Sequence, residues 1–141
     1  RMFQKRPFFG WGPGTYMFQY APFQMSNEQT IISTNSGKMG NAHSEYIGPL
    51  AESGVFGLLT FLGIVFTVFT KGSLLYHRLP RGELKTVVLF TLLGLFTHVT
   101  HGLLNNYLDT DKASVPFWGF ISILVAIDVY HSKVSLHTEA H

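Results

Sequence analysis

Three long stretches without a fixed charge constrain this chain more than any other feature. They run Val55 to Thr70 (VFGLLTFLGIVFTVFT), Thr86 to Leu104 (TVVLFTLLGLFTHVTHGLL) and Ala113 to Ile127 (ASVPFWGFISILVAI). The first extends upstream to Ile47 if Glu52 sits near one end, and the third reaches Tyr130 if Asp128 lies at the boundary. A bilayer core about 30 Å thick needs about 20 residues of helix to cross it. The stretches lack the period-two alternation of strands and the polar stripe of a soluble helix. The expected fold is all-α, a multi-pass integral membrane protein. Its spans are placed at about 47–70, 86–104 and 113–130. Recurrent small residues (Gly57, Gly63, Gly94, Gly102 and Gly119) are expected to let helices approach closely in lipid.

Composition agrees. Charged residues make up 13% of the chain, about half the roughly 25% of a soluble domain, so its surface would be poorly covered in water. A net charge of +2 gives no electrostatic footprint for nucleic acid. Without cysteine, neither a disulfide framework nor thiolate chemistry is available. The start, Arg1-Met2-Phe3, lacks the segments of a secretory leader. A fragment of a longer protein is therefore expected.

Flanking charges suggest an orientation. Lys71, Arg78, Arg81 and Lys85 lie between the first two stretches, against Glu83. Asp109 and Asp111, with Lys112, lie between the second and third. Lys- and Arg-rich loops stay cytoplasmic. Residues 1–45 and the 105–112 loop are thus expected outside the cytoplasm, 46–131 as the membrane domain, and 132–141 (with Lys133) as a cytoplasmic tail. Arg1, Lys5, Arg6 and Lys38 run against this, although long translocated segments obey the rule less strictly. In residues 1–45, Pro7, Gly10, Gly12, Pro13 and Gly14 break helices; Tyr16 to Phe23 is an aromatic run suited to the interface; Ser26 to Asn41 reads as a polar loop.

Several chemistries are set aside. Gly10-Trp11-Gly12-Pro13-Gly14 follows no strand and lacks the third glycine at dinucleotide spacing, and Gly37-Lys38 lacks the rest of a phosphate loop. His77 and His131 fall at span ends, and His137 and His141 in the tail. His98 and His101 share a helix face, but a metal would need a third ligand from elsewhere. Their default reading is polar residues facing the bundle interior or its outer mouth, and no metal or cofactor is expected.

His43 stands apart. His43-Ser44 is followed by nine residues, then Gly54-Val55-Phe56-Gly57. This resembles the motif of the O-antigen ligase and polymerase family, His-[Asn/Ser/Gln]-x9-Gly-x-x-[Gly/Thr/Tyr], at every defined position. Pro7 to Gly14 resembles the family's Pro-x-x-Gly-x-Gly-x-Gly turn. Asn105-Asn106-Tyr107 through Trp118-Gly119 resembles its short outer loop into the last span. The resemblance runs from about Pro7 to Ile127, the C-terminal part of such a protein.

The resemblance implies a multi-pass inner-membrane enzyme acting on glycans carried by undecaprenyl pyrophosphate. Ligases pass the polysaccharide to a lipid A core sugar, and polymerases join repeat units. The transfer is implied to be inverting and independent of metal. His43 would be the base or would orient the acceptor. Ser44, Glu45 and Tyr46 would orient His43 or bind sugar hydroxyls, although a solvated Glu45 at the membrane edge is the favoured reading. Arg6 is a candidate for the pyrophosphate by location, the family's essential arginine being expected upstream of residue 1. Gly54 and Gly57 are expected to allow close helix packing beneath His43. The competing readings are a non-catalytic transporter or assembly subunit, and a metal- or haem-binding membrane protein using His98 and His101.

Overall fold

The computed structural model describes residues 1–31, 33–34 and 39–138. Gly37, Lys38 and residues 139–141 lie outside the described residues, as do the side chains of Asp111, His131, Lys133 and His137. The described residues are helical or irregular, with no strand: α1 (Met2–Lys5), α2 (Tyr16–Gln19), α3 (Ile47–Glu52), α4 (Gly54–Arg78), α5 (Glu83–His101) and α6 (Asp111–Thr138), with 3-10 turns at Ala21–Phe23 and Tyr107–Asp109. Three helical segments are long and apolar enough to cross a membrane: Gly54–Arg78, Glu83–His101 and Lys112–Tyr130. At 1.5 Å per residue the 19-residue α5 is roughly 28 Å long. The all-α, membrane-spanning expectation therefore holds.

The helix bounds differ from the sequence reading for identifiable reasons. The stretch placed at 47–70 divides at Ser53–Gly54. Gly54 adopts φ +67°, and the Val55 N–H donates to the Pro7 carbonyl at 2.8 Å rather than continuing the helical ladder. The Ala51 and Glu52 carbonyls, orphaned at the end of α3, accept from Trp11 N (3.2 Å) and Gly12 N (2.8 Å). At its other end α4 runs on through Lys71 to Arg78, whose long aliphatic stems can lie along the helix while their charges reach water. Helix α5 stops at His101, and just beyond it the Gly102 carbonyl accepts from Glu45 N at 2.9 Å.

The chain forms two compact units. The first comprises Arg1–Ile64 with Gly102–Asn106, the second Val65–His101 with Tyr107–His141. The second unit has a core of Leu75, Leu79, Val88, Leu95, Phe117 and Leu124. On α5 the buried positions Val88, Thr91 and Leu95 fall at helical spacing on one face. Thr91 is buried without penalty because its Oγ1 donates to the Val87 carbonyl at 2.8 Å. Thr70, Thr97, Thr100 and Ser122 back-bond in the same way, each to the carbonyl four residues before it. Lipid offers no partner for a free hydroxyl, so this internal bonding removes the cost of placing one there.

Small residues serve this unit selectively. A Cβ on Gly94 would lie 2.8 Å from the Phe120 ring, and one on Gly72 would lie 2.6 Å from Leu92, whereas Gly119 has open space around it. Gly94→Val is therefore expected to lower stability by about 1–3 kcal/mol through overpacking, and Gly119→Val to be near neutral. Thermal unfolding of the detergent-solubilised full-length protein checks this, equal midpoints for the two variants being the contrary result.

The first unit buries Met2, Tyr20 and Ala51, with Trp11, Tyr16 and Phe23 packed around them. Trp11 stacks edge-on against Phe23 at 5.3 Å, and its indole N–H donates to the Met2 carbonyl at 3.1 Å. Tyr16 lies parallel to Tyr20 at 5.3 Å.

Candidate functional site

The site is organised by two irregular segments that meet at α3. The first is the turn carrying His43. The Asn41 side-chain oxygen accepts from the His43 N–H at 3.0 Å, closing an Asx turn. His43 itself adopts φ +42°, the one positive φ among the described non-glycine residues. The left-handed region costs an L-residue about 1–2 kcal/mol, so the surrounding contacts must hold it there. Downstream, Ser44 Oγ accepts from Tyr46 N (3.3 Å) and Ile47 N (3.4 Å), and the Ser44 carbonyl accepts from Gly48 N (3.0 Å). Ser44 thus starts the turn that becomes α3, and it is buried. Glu45 N is tied to the Gly102 carbonyl. Upstream, Gly40 N donates to the Tyr20 hydroxyl at 3.2 Å.

The turn is anchored on both sides while the His43 side chain is exposed. An exposed imidazole on a fixed, strained backbone is a common arrangement for a group that must meet an external molecule. Beside it, Glu45 is 6% exposed. The solvated Glu45 favoured by the sequence reading is therefore not what the structure has: its N–H is taken by the Gly102 carbonyl and its side chain is buried. Tyr46 packs edge-on against Phe61 at 5.4 Å. Burial, and next the charge of Glu45, push the Tyr46 phenol above its ordinary pKa, so it stays an O–H donor.

The second segment is the glycine-rich loop from Pro7 to Tyr16. Glu52 clamps it: its carboxylate oxygens accept from Gly14 N and Tyr16 N, both at 2.8 Å, and its carbonyl accepts from Gly12 N. Sequence reasoning missed this role, treating Glu52 as a charge tolerated near a span end. The available signal was a lone carboxylate inside an otherwise apolar run, which is rarely idle. The loop and the α3–α4 break approach as bare backbone at two points. A Cβ on Gly10, at φ +65°, would fall on the Glu52 carbonyl, and one on Gly54 would fall on the Phe8 carbonyl. Gly54 is thus required by a loop crossing rather than by a neighbouring helix. For Gly57 the nearest groups are Ser53 and the Pro49 carbonyl of the same bend.

Arg6 is exposed at the start of this loop, its guanidinium 4.5 Å from the Trp11 ring centre. Beside α3 opens a cavity of about 290 Å³ whose lining includes Tyr16, Tyr20, Phe23, Gln24 and Glu28. The structure therefore joins His43, Ser44, Glu45 and Tyr46 on one turn, and joins Gly54 to the loop that carries Arg6.

His98 and His101 belong to the second unit. Their rings pack on Tyr107 at 5.8 and 6.5 Å, and His98 also meets Phe117. Among the described residues no group of three or more His, Cys, Asp or Glu lies close enough to hold a metal ion.

Compared with known proteins, residues 1–62 match the family model described as O-antigen ligase. The match covers all four motif positions and the glycine-rich loop, and bears out the resemblance there. The Asn105–Gly119 stretch lies beyond it. No curated protein and no solved structure matches the chain.

Proposed function

We propose, from the O-antigen ligase match over residues 1–62, that this chain is the C-terminal part of a lipid-linked glycan transferase. In this reading it transfers a glycan from undecaprenyl pyrophosphate to a lipid A core sugar or a similar acceptor. A ligase- or polymerase-type role follows from the family match, and a membrane protein from that match with the three apolar helices. The observation that carries the finer reading is His43, exposed at φ +42° on a turn fixed by Asn41 and Ser44.

The chemistry divides as follows. The acceptor hydroxyl gives its proton to the neutral His43 imidazole as its oxygen attacks the anomeric carbon. The bond from that carbon to the pyrophosphate oxygen breaks, and the leaving group departs with the electron pair and two phosphates' charge. Attack opposite the leaving group inverts the anomeric centre. A histidine suits the first role because an imidazole nitrogen can accept a proton from a hydroxyl within hydrogen-bond reach. Arg6 is the candidate in this chain for meeting the pyrophosphate, a planar guanidinium matching two phosphate oxygens. Further arginines are expected from the longer protein. The Tyr46 hydroxyl and the aromatic, amide and carboxylate lining beside α3 are suited to sugar faces and hydroxyls. No step in this scheme calls for a metal. The bacterial inner membrane is the proposed location. The turn between α4 and α5, with Lys71, Arg78, Arg81 and Lys85 around it, is assigned to the cytoplasm and the His43 turn to the periplasm, by the positive-inside rule.

The surface polysaccharide of cells lacking the gene, compared with cells carrying it, tests the assignment. Bare lipid A core with polymer accumulating on its lipid carrier is the outcome for a ligase. Core capped by a single repeat unit makes the protein a polymerase of the same family. An unchanged ladder removes both and leaves a transporter or assembly role.

A further inference from the structure

The turn between α4 and α5 holds a second constellation that the transfer reading does not use. Leu79 directly follows α4, and its carbonyl, left without an intrahelical partner, accepts from the Lys85 ammonium at 3.1 Å. The same ammonium lies 4.6 Å from the Tyr76 ring centre. Lys85 is therefore fixed from two sides rather than waving in solvent. Arg81 is exposed beside it. Between them opens a cavity of about 350 Å³ lined by Tyr76, Arg81, Gly82, Lys85, Thr86 and Leu89. It combines two cations, a hydroxyl, a backbone glycine and an apolar wall. Lys71 and Arg78 add positive charge to the same hairpin, against Glu83 alone.

The place of this cavity selects its occupant. The helices on either side, Gly54–Arg78 and Glu83–His101, are each long and apolar enough to span a bilayer. Their connecting turn then lies at a bilayer edge, at the depth of lipid phosphates. A phosphodiester there meets Arg81 and Lys85, while Leu89 and the Tyr76 ring cover the start of an acyl chain. A zwitterionic lipid presents the same phosphate but brings its own cation against these two. We propose that this cavity binds the headgroup of an anionic phospholipid, with Arg81 and Lys85 as the phosphate-binding pair. The proposal is independent of the transfer chemistry and stands or falls without it.

Native mass spectrometry of the detergent-purified full-length protein, titrated with phosphatidylglycerol or phosphatidylcholine, tests it. The expected result is preferential retention of phosphatidylglycerol, falling on the order of tenfold or more in the Arg81→Gln/Lys85→Gln variant, as removal of two cations beside a lipid phosphate implies. Arg81→Gln alone keeps the Lys85 bond to Leu79, so a partial loss there separates binding from damage to the turn. Lys71→Gln/Arg78→Gln removes the same charge from the same hairpin outside the cavity and is expected to retain the preference. An equal loss in that control would mean a diffuse field and overturn the site. Displacement of the bound lipid by inorganic phosphate at similar concentration would also overturn it, because the cavity would then be reading free phosphate. Equal retention of both lipids by the unaltered protein is the third contrary outcome.

Discussion

Replacing His43 by Gln or Ala is expected to slow glycan transfer by about 10²- to 10⁴-fold, the usual contribution of a positioned acid–base group. The fold should survive the change. The His43 ring is exposed, and the turn is held by its neighbours: Asn41 accepts the residue 43 backbone N–H whatever side chain stands there, and Ser44 starts α3 through its own hydroxyl. His43→Gly sharpens the test. Glycine adopts φ +42° freely, so the cost of the left-handed conformation disappears, offset in part by the greater freedom of the unfolded chain. Stability is expected to stay level or rise by up to about 1 kcal/mol, while transfer falls as far as in His43→Ala. Initial rates and thermal midpoints of the three variants check both halves. A His43→Gly protein that is clearly less stable would make the histidine a structural element of the turn.

Gly54→Ala should be the most damaging small substitution in the first unit. Two costs add. The left-handed φ of +67° costs about 1–2 kcal/mol for an L-residue. The new methyl would also fall on the Phe8 carbonyl, where only backbone could move aside. Overpacking of this kind adds about 1–3 kcal/mol, for a total of about 3 kcal/mol. Displacing Pro7–Phe9 also removes the bond from Val55 N to the Pro7 carbonyl and loosens the loop that Glu52 clamps. Limited proteolysis of the full-length protein should show faster cleavage within Pro7–Tyr16, and transfer should fall although His43 is intact. Gly14→Ala is the comparison. It shares a positive φ of +72° but its methyl would meet nothing, so only the conformational cost applies. Equal effects at Gly14 and Gly54 would show that the crossing of loop and helix break contributes nothing.

Much of this was legible in the sequence. Helices α4, α5 and α6 follow from uncharged runs of membrane-crossing length, a signal that survives without any neighbour. His43 and both motif glycines stood out through their resemblance to a family motif that fixes four positions at once. What spacing does not reveal is which contacts the spaced residues make. Gly54 looked like a helix-packing glycine, and it is instead the point where the Phe8 backbone crosses a helix break. That crossing joins residues far apart in the chain, and period and composition carry no such information. Glu52 was hidden for the same reason: a carboxylate in an apolar run reads as a boundary until its partners, Gly14 N and Tyr16 N, are placed beside it. Glu45 reversed its expected exposure: its N–H is taken by the Gly102 carbonyl, a residue distant in the chain, and its side chain is buried. Among the small residues, Gly94 meets an aromatic ring and Gly119 meets nothing, a difference set by neighbouring helices that local sequence cannot encode.

Release of free undecaprenyl pyrophosphate by the purified full-length protein, given a lipid-linked glycan donor and a core acceptor, tests the proposed role of His43 when the unaltered chain is compared with His43→Ala. Release that requires the acceptor, and that falls at least about a hundredfold in the variant, is the expected result. Release at the same rate from both proteins would remove His43 from the chemistry and contradict that role.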